Sequence, residues 1–234
     1  MLFEDPKFPP LLTPLAVSPP VAAFEHACRL AATQEIGAGD IVWSRANDRA
    51  EIALILEPEI ALAPSLQMGP LAMVALADCL GVLMPPKTAI TLRWPDTIAI
   101  NGGAAGQLRL ASSTANLDET PDWLAIGILL RLELPVGGGE PGDRPEQTTV
   151  HAEGGGELTR SLVLQSYAAH VLAWLDVWSH EGFEPVSDRW TALAENGATL
   201  DDSAGMIART PDAAPPTALS DAIDLLAWRG EQVA

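Results

Sequence analysis

The side chains that could act as metal ligands or nucleophiles are few and widely spaced in this sequence. The two histidines that share a predicted helix, His170 and His180, are ten residues apart. Histidine pairs that bind a metal from one helix lie one turn apart, so no metal site is predicted. Cys28 and Cys79 each fall in an apolar helical pattern and are expected to be reduced core residues. The chain also lacks the glycine patterns of dinucleotide- and phosphate-binding loops and the G-x-S-x-G motif of hydrolases.

Tryptophan is the residue type with the clearest binding potential, because the chain has seven of them. Trp43, Trp94 and Trp123 fall at the ends of predicted strands, where they could line a pocket for an apolar ring or an acyl tail. Packing in the core is an equally good interpretation of the same three residues.

The elements that must position these residues follow from the apolar pattern. Residues 1–20 are rich in proline and are interpreted as an extended lead-in, with Ser18 predicted to cap a first helix. Apolar residues at helical spacing predict further helices over about residues 66–81 and 158–181, the second ending at Gly182. Apolar segments predict strands over residues 41–43, 50–56, 89–92, 97–100, 104–110 and 123–134.

Glycines refine this pattern. Asn101-Gly102 between two apolar runs predicts a hairpin. Gly127, inside the last strand, predicts a bulge or a close approach of another group to the backbone. Residues 135–157 contain two glycine triplets and are a predicted loop. The order of the elements predicts an α+β fold, with a mostly antiparallel sheet and helices packed on it.

Length and charge limit the classes of function. A chain of 234 residues suits one large domain, placed at residues 1–187, with a small C-terminal extension at residues 188–234. A net charge of −18 repels phosphate backbones and anionic lipids, so neither nucleic acid nor a membrane is an expected partner. The sequence shows no secretory signal and no apolar run of membrane-spanning length, so we expect a cytoplasmic location.

The middle of the chain carries a recognisable order of motifs. Arg93-Trp94-Pro95-Asp96-Thr97 leads into a hairpin whose return strand reads Gly103-Ala104-Ala105-Gly106-Gln107-Leu108. A strand from Gly127 to Arg131 follows, and Gly182-Phe183 comes after the long helix. This order resembles the biotin protein ligases and their lipoate-ligase relatives. Their corresponding motifs are Lys-Trp-Pro-Asn-Asp, Lys-x-x-Gly-x-Leu and Gly-x-Gly-x-Asn. The resemblance spans about residues 20–195 and implies the fold shared with class II aminoacyl-tRNA synthetases.

The resemblance also implies a chemistry. In that family, ATP and the carboxylate of biotin or lipoate form an acyl-adenylate, and a lysine of a carrier domain then takes the acyl group. Such an enzyme must hold a carboxylate and a triphosphate close together with fixed cations. The ligand-binding residues that the resemblance implies are Trp43, Arg93, Trp94, Asp96, Gly103, Gly106 and Gln107.

This sequence departs from the family pattern where the cations should lie. Gly103 stands at the place of the lysine that contacts the carboxylate and the adenylate, and it brings no charge. Arg93 replaces the lysine before Trp-Pro, so a planar guanidinium stands where the family has a compact ammonium group. Arg109, six residues after Gly103, is the other candidate cation. The glycine- and arginine-rich adenylate loop is reduced to Gly37-Ala38-Gly39-Asp40, where Asp40 has the wrong sign for a phosphate.

These departures leave three functions open. The first, which we favour, is a divergent family member that binds a small carboxylic acid or acyl ligand without ordinary ligase catalysis. The second is an active ligase, dependent on ATP and Mg²⁺, in which Arg93 or Arg109 supplies the missing charge. The third is a non-enzymatic interaction module for a partner such as a biotinyl or lipoyl carrier domain. Such carriers are commonly acidic, so a chain with a net charge of −18 is poorly matched to the second and third functions.

Overall fold

A mixed sheet forms the centre of the structure, a computed structural model that describes residues 4–134, 146–201, 207–209, 217–219 and 226–227. Its main strands are β1 (Thr13–Val17), β2 (Asp40–Ser44), β3 (Arg49–Leu56), β4 (Ile90–Arg93), β5 (Thr97–Ile100), β6 (Gly103–Ser112) and β7 (Leu124–Arg131). They lie side by side in the order β1-β2-β3-β7-β6-β5-β4. β1 and β2 are parallel, and the other neighbours are antiparallel.

Helices cover the two faces of this sheet unequally. They are α1 (Ala23–Ala32), α2 (Leu62–Ser65), α3 (Met68–Leu83), α4 (Arg160–Glu181) and α5 (Glu184–Leu193). α3, α4 and α5 pack together on one side, over the larger hydrophobic core; we call this side the helical face. α1 packs on the other side over β2, β3 and β7, and we call that side the α1 face. The α+β prediction, a mostly antiparallel sheet with packed helices, is confirmed.

The C-terminal part adds short strands. β8 (Thr199–Asp201), β9 (Ile207–Arg209) and β10 (Thr217–Ala218) form a small antiparallel sheet. β11 (Leu226–Ala227) pairs in parallel with the end of β6.

The most apolar helix is an interior one. Leu62–Leu83, which includes α2 and α3, is the one stretch of the described residues that is long and apolar enough to cross a membrane. Its most apolar window is 72% buried, because α3 runs between the sheet and α4. Burial on all sides is typical of the core helix of a globular domain.

The helices and the hairpin predicted from local signals are confirmed. α3 and α4 match the predicted helices to within two residues, and α4 ends at Gly182, whose φ is 81°. Asn101 and Gly102 join β5 to β6 with φ values of 48° and 87°, as the Asn-Gly signal predicts. Residues 135–145 of the predicted loop lie outside the described residues.

The prediction for the first helix is wrong at its start. Ser18 does not cap α1, which begins at Ala23 after an N-cap residue that makes no side-chain cap. The Ala23 N–H instead donates to Glu51 Oε1, 2.8 Å away on β3. The proline-rich lead-in, predicted as an extended segment, also contains the strand β1.

Candidate functional site on the α1 face

Strand register places five side chains in one row across the α1 face. Arg93, Thr97, Gln107, Leu129 and Glu51 are direct partners from β4 through to β3. Chain neighbours of these residues such as Leu92, Ile98, Leu108, Ile128 and Ile52 lie in the helical-face core, as alternation in a strand requires. Two of the predicted binding residues, Arg93 on β4 and Gln107 on β6, therefore lie on one face with β5 between them. Their backbones are about 10 Å apart.

Arg93 is held by the carboxylate of Glu195, a residue of the short turn after α5. Arg93 Nε lies 2.6 Å from Glu195 Oε2, and Thr91 Oγ1 donates to Oε1 at 2.7 Å. The guanidinium also donates to the carbonyl of Gly102. The hydrogen bond from Arg93 holds the pKa of Glu195 below its ordinary value, and burial only partly opposes it. The positive charge of Arg93 is therefore already compensated.

Arg109 is compensated in the same way by Glu25, from the first turn of α1. Arg109 Nη1 lies 2.5 Å from Glu25 Oε1, and its guanidinium carbon lies 4.3 Å from the centre of the Phe24 ring. Phe24 in turn packs on the backbone of Gly127, where a Cβ would come within 2.3 Å of the ring. The predicted close approach at Gly127 is thus confirmed. The buried Phe24 ring fills the space over the middle of the α1 face.

The position of Gly103 is closed by a neighbouring segment. Residues 146–148 run beside the start of β6, where the Ala104 N–H donates to Glu146 O and the Thr148 N–H donates to Ala104 O. A Cβ on Gly103 would lie 2.8 Å from both Cβ and Cγ2 of Thr148. Any side chain here would displace this segment, so the family's lysine has no room at Gly103.

Two arginines face each other in the next row of the α1 face. Arg49 on β3 and Arg131 on β7 are direct cross-strand partners. Arg49 is bound to Asp48 at 3.2 Å and to Glu51 at 3.1 Å. Arg131 is half-buried and makes no ion pair or side-chain hydrogen bond with any residue that the structure describes. Because Asp48 and Glu51 compensate Arg49, Arg131 is the arginine of this row whose charge has no described partner, and its guanidinium could bind a carboxylate with two hydrogen bonds.

Sequence reasoning did not select Arg131, although a signal was present. Arg131 stands at the end of the strand that aligns with Gly-x-Gly-x-Asn, where the resemblance expects an asparagine. A new arginine at that place, together with the missing charge at Gly103, is the signal that would have found it.

The predicted tryptophans lie away from this row. Trp43 is buried in the helical-face core, with the guanidinium carbons of Arg45 and Arg160 each 5.4 Å from its ring centre. Trp94 packs edge-on against Trp190 in the same core, with ring centres 6.0 Å apart.

The remaining predicted residues lie on both sides of the sheet. Gln107 Nε2 donates to Asp96 Oδ2 at 2.9 Å, so these two side chains lie together. A Cβ on Gly106 would meet Ile98 at 3.3 Å and Leu130 at 3.4 Å, both in the helical-face core. Of the predicted set, the structure thus brings Arg93, Asp96 and Gln107 to the α1 side and places the tryptophans and Gly106 elsewhere.

Comparisons with known proteins agree with this fold. Residues 8–192 match the model of the biotin/lipoate A/B protein ligase family. The sequence is 26% identical over 175 residues to a biotin–[acetyl-CoA-carboxylase] ligase of Paracoccus denitrificans, which covers 68% of this chain and 72% of that relative.

Solved structures show the same architecture. A biotin protein ligase-like protein of unknown function from Silicibacter sp. TM1040 is 33% identical, with a TM-score of 0.81 over 93% of this chain and 98% of that one. The biotin protein ligase of Aquifex aeolicus shares the fold at 12% identity, with a TM-score of 0.67 over 91% of this chain and 98% of that one. The same enzyme in complex with biotin and ATP gives a TM-score of 0.61 at 14% identity, over 90% of this chain and 96% of that one. With 185 residues matched to the family model (8–192), this chain belongs to the biotin/lipoate A/B protein ligase family.

Proposed function

We propose that this protein binds a small carboxylic acid or acyl ligand on the α1 face and does not carry out ordinary ATP-dependent ligation. The observation that carries the proposal is the closed position at Gly103. No cation is present there, and Thr148 leaves no room for one. The family chemistry needs a fixed positive charge beside the reacting carboxylate.

The charges around the row do not fit ATP and Mg²⁺. A triphosphate requires several cations that are not already neutralised. Arg49, Arg93 and Arg109 each pair with a carboxylate of the protein. Of the four arginines on this face, Arg131 is the one that has no ion pair with a described residue. One planar guanidinium matches one carboxylate, which it can bind with two parallel hydrogen bonds.

The surroundings of Arg131 suit an acid with a short apolar part. Leu129 precedes it by two residues on the same strand and therefore lies on the same face. Gln107, the cross-strand partner of Leu129, adds a polar amide next to this apolar surface. Phe24 occupies the middle of the face, so the ligand lies towards the Arg131 end.

A second candidate function is an active ligase in which Arg131 is the relocated cation. The observation that favours this reading is that the Arg131 guanidinium has no ion pair with any residue that the structure describes. The Paracoccus relative, named as a biotin ligase, adds weight to it. A biotinyl or lipoyl carrier domain would then be the protein partner.

Thermal unfolding with biotin, lipoate, octanoate and Mg-ATP, singly and in pairs, separates these functions. A ligand at one hundred times its dissociation constant adds about 2.7 kcal/mol of stability. We expect a shift with one of the acids alone. A shift that needs both an acid and ATP would support the ligase instead, and no shift with any compound would contradict both functions.

The role of Arg131 is tested by Arg131→Gln, with Arg29→Gln on the exposed side of α1 as the matched control. Loss of a charge-assisted hydrogen bond costs about 1.5–3 kcal/mol, or roughly a 10- to 150-fold weaker acid. Equal affinity in the two variants would refute the assignment of Arg131.

We further propose a cytoplasmic location and no membrane or nucleic-acid partner. The support is the strongly negative charge, with two buried cysteines that form no disulfide. The division at residue 187 into a main domain and a reduced C-terminal extension stays a prediction.

A further inference from the structure

Two cavities meet at the far end of β3, where the strand ends and Glu57 follows. The first has a volume of about 410 Å³ and is mostly apolar, lined among others by Leu56, Ile60, Met68, Leu175 and Trp178. The second has a volume of about 370 Å³ and is acidic, lined among others by Glu35, Asp40 and Asp122. Glu57 lines both, and Glu59 lines the apolar one. Volumes of this size are typical of small-molecule sites.

Two carboxylates at this junction have no counter-ion among the described residues. Glu57 and Glu59 are exposed, and neither makes an ion pair with a residue that the structure describes. No lysine or arginine belongs to the described lining of either cavity. Within the described part of the chain, the apolar cavity therefore opens towards carboxylates that no cation of the protein compensates.

The junction is remote from the Arg131 site. Arg49, the partner of Arg131, begins β3, and Leu56 ends it. A strand of that length spans about 24 Å. The apolar cavity also involves α4 through Leu175 and Trp178, which pack against the helical-face core.

From this arrangement we infer that the apolar cavity binds a cationic amphiphile, a molecule with an apolar chain or ring that ends in a protonated amine. The apolar part lies between Leu56, Met68 and Trp178. The ammonium group faces Glu57 and Glu59, which match its charge. This site does not depend on the proposed function on the α1 face.

Calorimetric titration with three probes of equal chain length tests the inference. Octylamine is protonated at neutral pH, octanol is neutral, and octanoate carries the opposite charge. We expect octylamine to bind about fivefold more tightly than octanol, since exposed charge pairs contribute up to about that factor. Equal affinity for octylamine and octanol would overturn the assignment.

Variants locate the site. Glu57→Gln combined with Glu59→Gln should remove the preference for octylamine, whereas the control Glu157→Gln, an exposed carboxylate elsewhere, should not. Ala38→Trp places a large ring on an exposed lining residue and should abolish octylamine binding. Unchanged octylamine binding in Ala38→Trp, in protein that unfolds as cooperatively as the wild type, would overturn the inference.

The same titrations keep the two sites distinguishable. Arg131→Gln should weaken octanoate and leave octylamine unchanged. If Arg131→Gln instead changed octylamine binding and left octanoate binding unchanged, the amine would bind on the α1 face, and the cavity assignment would be overturned.

Discussion

Replacing Gly127 by alanine tests the contact that fills the middle of the α1 face. The new Cβ would lie 2.3 Å from Cδ2, 2.9 Å from Cε2 and 3.1 Å from Cγ of Phe24. Ordinary contacts of a Cβ begin near 3.4 Å, so the closest overlap exceeds 1 Å. The ring is only 2% exposed and is held between the sheet and α1, so it cannot turn into solvent. We expect Gly127→Ala to lower the free energy of unfolding by about 2–3 kcal/mol, the upper part of the range for overpacked cores.

Urea unfolding followed by circular dichroism measures this cost, with Gly81→Ala as the matched control. A Cβ on Gly81 meets nothing within 4 Å, and the residue is an exposed position in the last turn of α3. The control should therefore raise the free energy of unfolding by up to about 1 kcal/mol, because alanine has the higher helix propensity. In a Phe24→Leu background, Gly127→Ala should cost at least about 1 kcal/mol less, because contacting residues couple. A cost below 0.5 kcal/mol, on the order of ordinary surface changes, would refute the packing argument.

Three further outcomes are expected. Gly103→Lys should lower the midpoint of thermal unfolding, because the new side chain collides with the segment beside β6. The variant should also fail to transfer biotin in the presence of ATP. Biotin transfer by this variant would show that the position is open. Burial raises the pKa of Cys28 to about 12 and that of Cys79 to about 11, so Ellman's reagent should react with neither thiol in the native protein and with both in urea. Glu195 has a folded pKa below its ordinary 4.5, so the stability lost in Glu195→Gln should be complete at neutral pH and should shrink as the pH falls below 4.5. A loss that persists unchanged at pH 3, measured by thermal unfolding, would argue against the Arg93 pair as its source.

Six strands of the main sheet and the long helices were predictable because their signals are local, whereas β1 was not predicted. The run from Arg49 to Leu56 is long enough only for a strand, and Asn101-Gly102 selects its turn by backbone conformation alone. The contact above Gly127 was also foreseeable in kind, since an interior glycine in a strand marks a close approach. That Phe24 makes this contact could not be predicted, because Phe24 lies about 100 residues earlier in the chain and no local pattern links it to Gly127.

The charge state of the site could not be predicted in the same way. Arg93 and Arg109 are promising cations in the sequence, and both meet carboxylates that lie far along the chain, Glu195 and Glu25. Each pairing exists only because the fold brings distant segments together. The binding roles of the predicted residues stay predictions: Trp43, Arg93, Trp94, Asp96, Gly103, Gly106 and Gln107.

The hydrogen bond from the Ala23 N–H to Glu51 has a consequence for the order of folding. α1 has ten residues and no side-chain cap of its own, so as an isolated helix it is marginal in water. The acceptor at its first turn comes from a strand 28 residues later, and that carboxylate is in place only once β3 is paired. We infer that α1 docks after the centre of the sheet has formed. We therefore expect the amide hydrogens of α1 to exchange more readily than those of the central strands β3 and β7.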